Sequence, residues 1–114
     1  MPVLSIETNR QIDEKAIPGL LDAASRLTSE QLGKSERYVM VRASHNPNMI
    51  FAGDAEPLAL LRLASIGLPE EATAGLSAAL CELIEQHLNV PRTRIYIEFV
   101  DAPRKMWGYD GRTF

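Results

Sequence analysis

Behind the initiating methionine stands a proline, in the stretch MPVLSIE. As an internal residue, Pro2 has an amide nitrogen, which is not basic. As a chain terminus it has a secondary amine. A free α-amino group titrates near pKa ~8, and the secondary amine of proline is intrinsically more basic. Burial in an apolar pocket, or a nearby cation, disfavours the ammonium and lowers that value. An amine poised near neutrality can take a proton from carbon next to a carbonyl and return it elsewhere. The bland reading is a proline tolerated at a strand edge, which also permits methionine removal. With Met1 attached, Pro2 is an amide and the base is absent.

Other residues have chemical potential beside a structural explanation. Lys34 follows Gly33 and can complement the negative end of a helix. Ser65, Ile66 and Gly67 read as a strand end with a glycine turn, and a backbone amide there is a reasonable anion donor. Tyr96 lies in RIYIEFV with Glu98 on the same face, while Ile95, Ile97 and Phe99 share the other. The tail KMWGYDGRTF carries Trp107, Tyr109 and Phe114, which can anchor a chain end. Cys81 is the single cysteine, so no intrachain disulfide forms. It falls near the inner face of a helix, where a thiol is expected to be buried and inert. His45 sits in a turn and His87 near a helix end, without metal-ligand spacing, so no metal is expected.

Composition limits the partners. The chain has 114 residues, enough for one domain with a modest core. Its formal net charge of -3 argues against nucleic acid, whose partners usually show a basic stripe, and against an anionic membrane surface. The longest apolar run, near residues 57–61, is far too short to span a bilayer. No signal peptide is evident, and the expected location is the cytoplasm.

The elements that must position these residues follow from periodicity. Residues 2–8 read as a strand. Ile17, Leu20, Leu21, Ala24, Leu27 and Leu32 fall on one helical face, with Pro18 in the first turn and Gly33 as a left-handed cap. YVMVRAS (38–44) reads as a second strand, HNPN (45–48) as a turn and MIF (49–51) as a short extra strand. The plan then repeats: a strand over 58–66, a helix with Ala72, Leu76, Ala79, Leu80, Leu83, Ile84 and Leu88 inward, and a strand over 94–100. The single domain, 1–114, thus reads as an α+β fold of two strand–helix–strand repeats, about 2–56 and 57–114. Crossover helices imply parallel strands within each repeat. The result is a four-stranded sheet with two helices on one face. Apolar residues occupy both alternations, Val39 and Val41 against Met40 and Leu60 against Leu61 and Leu63, so the bare face is expected to meet other subunits.

Ordered pieces along the whole chain carry a resemblance. PVLSIETN (2–9), GK (33–34), EP (56–57), SIG (65–67), RIYI (94–97) and the closing TF resemble the macrophage migration inhibitory factor family of the tautomerase superfamily. The resemblance implies a homotrimer with sheets facing a central channel. It also implies keto–enol tautomerase activity on phenylpyruvate-like and dopachrome-like compounds, with Pro2 as the catalytic base once Met1 is removed. The partner would then be a small aromatic α-keto acid or related carbonyl compound.

By the same resemblance Lys34 binds the substrate carboxylate or carbonyl oxygen, and the Ile66 N–H, beside Ser65, binds the carboxylate. Tyr96 reaches into a neighbouring subunit's pocket. Trp107, Tyr109 and Phe114 line the mouth, and Val3 and Tyr38 match pocket-wall positions. Four departures stand out. Glu98 replaces the asparagine of the best-known animal member and can repel an acidic substrate. Trp107 replaces an aliphatic residue, and Tyr109 a tryptophan. EPLALL (56–61) lacks the paired cysteines found there in some animal members, so a dithiol redox cycle is not supported. The alternative function is a cytokine-like binding protein with an unidentified protein receptor and a vestigial pocket.

Overall fold

The computed structural model describes residues 1–114. Strand β1 (Val3–Thr8) leads into helix α1 (Ile17–Leu32) and strand β2 (Met40–His45). Strand β3 (Ala59–Ile66), helix α2 (Thr73–Leu88) and strand β4 (Ile95–Ala102) repeat the order. A small hairpin, β5 (Gly108–Tyr109) with β6 (Arg112–Thr113), ends the chain. The main sheet runs β2-β1-β3-β4. Both outer pairs are parallel, and the central pair β1–β3 is antiparallel. Parallel neighbours need a crossover, and each helix supplies one.

Both helices pack on one face of this sheet. Leu4, Ile6, Leu61 and Leu63 point inward from the central strands and meet Leu20, Ala24, Leu76, Leu80 and Ile84. Burial alternates strictly along β1, as period-2 side-chain placement requires. Pro18 lies in the first turn of α1, where its missing N–H costs nothing. Gly33 closes that helix at φ 62, a conformation that a Cβ disfavours. Thr28 also faces the core, and its hydroxyl has no partner. The apolar pattern of α1 does not reveal this inward threonine. No helix is long and apolar enough to cross a membrane.

Three local expectations need correction. The second strand starts at Met40, because Ser35 caps a short 3-10 turn over Glu36–Tyr38, its hydroxyl accepting from the Arg37 N–H. Met49 and Ile50 form no strand, and only an isolated bridge joins Phe51 to Asp54. The bare sheet face is mixed rather than apolar. Arg62 stands opposite Ser5 on one side and Glu98 on the other, among exposed Met40 and Tyr96.

The link between the two halves is pinned by polar contacts. The Thr8 hydroxyl donates to the Leu58 carbonyl at 2.7 Å, and Asn9 exchanges bonds with the Ala55 carbonyl and the Leu58 N–H. Just before β4, the Arg94 guanidinium donates to the carbonyls of Pro57, Phe51, Asp54 and Glu56. It also pairs with the Asp54 carboxylate at 2.8 Å. Hydrogen bonds to a charged donor are worth more than neutral ones. Arg94→Ala should therefore lower unfolding stability by about 2 kcal/mol, read as a reduced urea midpoint at unchanged m-value.

Candidate active site

The site is built around the start of β1. The Met1 ammonium donates to the Tyr38 carbonyl at 2.6 Å, and the Met40 N–H donates to the Pro2 carbonyl at 3.0 Å. These bonds hold the chain end against the entry to β2. Pro2 itself is fully buried. Continuing the β1–β3 register past the Val3–Ala64 pair sets Pro2 opposite Ser65. Ser65 is buried as well, and its hydroxyl donates weakly to the Ile66 carbonyl at 3.5 Å.

Lys34 comes to this end because α1 terminates there. Its ammonium donates to the Ile66 carbonyl at 2.8 Å and lies in no ion pair with a carboxylate. The cation is thus positioned without being neutralised. Burial holds the N-terminal ammonium below its ordinary pKa, and the nearby Lys34 charge pushes in the same direction. An amine at this position sheds its proton more readily than a solvated terminus.

Beside the terminus opens a cleft of about 240 Å³. Met1 and Val3 form part of its floor, and Tyr38, Trp107, Tyr109 and Phe114 give it aromatic walls. Tyr109 stacks on Phe114 at 5.3 Å between centroids and meets Tyr38 edge-on at 5.7 Å. The hairpin of β5 and β6 presents this stack, with Gly111 at φ 74 and Asp110 at φ 55 making the tight turn. No Asp or Glu side chain lines the cleft, and its one charged side chain is Arg37. Sequence reasoning passed over Arg37. Its only signal there was its place immediately before Tyr38. Trp107 also separates this cleft from a second hollow of about 330 Å³ that reaches Ser5 and Arg62.

Tyr96 and Glu98 do not join this cluster within one chain. Val3, Ala64 and Val100 form one row across the sheet, whereas Tyr96 lies opposite Leu60. Four residues of strand separate those rows, roughly 13 Å at ~3.3 Å per residue. Tyr96 projects outward, 66% exposed, with its ring 4.7 Å from that of Phe51. Glu98 is exposed mid-sheet beside Arg62. Cys81, by contrast, is buried against the core, and burial raises its thiol pKa.

Comparison with known proteins agrees over the full length. The family model "Macrophage migration inhibitory factor (MIF)" matches residues 1–114. A macrophage migration inhibitory factor homolog of Brugia malayi is 34% identical, over 100% of this chain and 99% of its own. Among solved structures, the homologue from Prochlorococcus marinus superimposes with a TM-score of 0.93 at 37% identity, covering 98% of both chains. The factor from Toxoplasma gondii gives 0.93 at 34% identity, over 98% of this chain and 99% of that one. The chain belongs to the macrophage migration inhibitory factor family, within the tautomerase superfamily.

Proposed function

We propose that this protein is a cofactor-free keto–enol tautomerase of phenylpyruvate-like and dopachrome-like substrates, with Pro2 as its general base and acid after Met1 is removed. The observation that carries the reading is the partly buried chain end, with buried Pro2 directly behind it, beside an un-neutralised Lys34 and opening on an aromatic cleft lined by no Asp or Glu side chain. In the keto-to-enol direction the neutral Pro2 amine takes a proton from the carbon next to the ketone. The C–H electron pair becomes the C=C bond, the carbonyl oxygen gains charge and then takes a proton from water, and the Pro2 ammonium returns its proton to solvent. The reverse direction returns the proton to carbon. Lys34 stabilises the developing oxyanion, where a fixed cation contributes most. The Ile66 N–H helps to hold the substrate carboxylate, and Tyr38, Trp107, Tyr109 and Phe114 receive the aryl ring.

The active assembly in this reading is a homotrimer. The outward, exposed Tyr96 supports it, because Tyr96 and Glu98 can meet a Pro2 site only on another copy. The test couples intact mass to turnover. Protein with Met1 removed should interconvert the keto and enol forms of phenylpyruvate, followed by absorbance. Protein that retains Met1 should be inactive, because an amide nitrogen cannot accept the proton. Equal rates for the two species would overturn the mechanism.

A further inference from the structure

We propose that Arg37 selects substrates carrying a second anionic group on the aryl ring, so that the favoured class is a carboxylate-bearing aryl α-keto acid. The inference rests on the tautomerase reading for its chemistry, but on Arg37 for its selectivity. An α-keto acid presents one carboxylate, and the Ile66 backbone accounts for it, with Lys34 at the adjoining carbonyl oxygen. The cleft nevertheless has another cation at its wall.

Arg37 is held for such a role. Ser35 caps the 3-10 turn that carries it, so the turn brings Arg37 and Tyr38 to the cleft together. Its guanidinium lies 5.3 Å from the centre of the Tyr38 ring, a cation–π distance. Tyr38 meets Tyr109, and Tyr109 stacks on Phe114. The cation therefore stands at the end of an aromatic series. Its sequence neighbour Glu36 forms no ion pair with it and turns instead to the Ser25 hydroxyl, from which it accepts at 2.8 Å. Arg37 takes part in no ion pair. A planar fork of donors beside stacked rings suits a carboxylate lying in the plane of a bound arene. A hydrophobic wall alone discriminates weakly against added polar groups, whereas an unpaired cation favours the anion that satisfies it.

The test compares 4-carboxyphenylpyruvate with phenylpyruvate, for the Met1-free protein and for Arg37→Ala, Arg37→Gln and Arg37→Lys. The ratio of kcat/KM for the dianion over the monoanion should fall about tenfold in Arg37→Ala and Arg37→Gln, matching the loss of one charge-assisted contact. Arg37→Lys should restore part of it. A ratio unchanged within about twofold would overturn the inference while leaving the tautomerase reading intact. A binding measurement separates the two failures. Trp107 is the only tryptophan and lines the cleft, so its fluorescence reports occupancy. Titration with 4-carboxycinnamate against cinnamate should show the same Arg37-dependent preference even if neither keto acid turns over. Absence of the preference would count against Arg37, and absence of turnover against the enzyme.

Discussion

Pro2→Gly should lower kcat/KM for phenylpyruvate by about 10²-fold, at the lower end of what a positioned acid–base group contributes. Glycine leaves an amine at the terminus once Met1 is gone, so the comparison removes the ring rather than the base altogether. Two properties go with the ring. A secondary amine is more basic than a primary one, and proline fixes the dihedral that aims the lone pair. Glycine frees that end of β1, so the amine spends less time aligned with the substrate carbon. Equal rates for the wild type and Pro2→Gly would remove Pro2 from the mechanism. Thermal unfolding of both proteins guards against a folding artefact, since Pro2 is buried.

Lys34→Ala should cost about 10²–10³-fold in kcat/KM, the range found when one oxyanion donor is removed. It should also move the pH profile. The Lys34 charge is one of two causes that lower the pKa of the Met1 ammonium, the larger being burial, and the same two causes should act on the Pro2 amine one residue further in. Both act against the ammonium, so the neutral, base-competent amine survives to lower pH. The rate rises with pH through that lowered value. Without Lys34 the ammonium is less disfavoured, and the acid limb shifts to higher pH. Lys34→Arg keeps a cation and should retain the position of the limb better than it retains the rate. An unmoved limb in Lys34→Ala would show that the cation does not act on the amine. The side chain contacts only a carbonyl oxygen and has no ion pair, so its loss should leave the fold intact.

Much of this arrangement is legible before any coordinate. Inward leucines at helical spacing give α1 and α2, and alternation gives β1 and the two faces of β4. The places where reading falls short share a cause. Tyr38 and Val39 look like strand by composition, but Ser35 diverts Glu36–Tyr38 into a 3-10 turn through a side-chain bond. MIF is too short to form a strand without a neighbour to pair with, and only Phe51 makes a bridge. The final hairpin turns on Asp110 and Gly111 at positive φ, and DG is a turn signal that the aromatic reading of the tail overlooked. Chemistry was easier to list than to locate. Alternation puts Tyr96 on the outward face, but only the register shows that it lies far along the sheet from Pro2. Arg37 is not legible in the sequence, because a charged residue in a loop ordinarily faces water and only the folded cleft gives it a neighbourhood.

The two halves of the chain follow one plan, yet they are chemically unequal. Pro57 opens the second half as Pro2 opens the first. Both helices end in a left-handed cap, Gly33 in one and Asn89 in the other. After the first cap comes Lys34, and after the second comes Val90, which is completely buried. The nitrogen of Pro57 is locked in the peptide bond that joins the halves. Joining two like units in one chain thus silences one end twice, by withdrawing the amine and by replacing the cation with aliphatic packing. In the tautomerase reading each chain keeps a single reactive pole, and its opposite pole is free to evolve as scaffold.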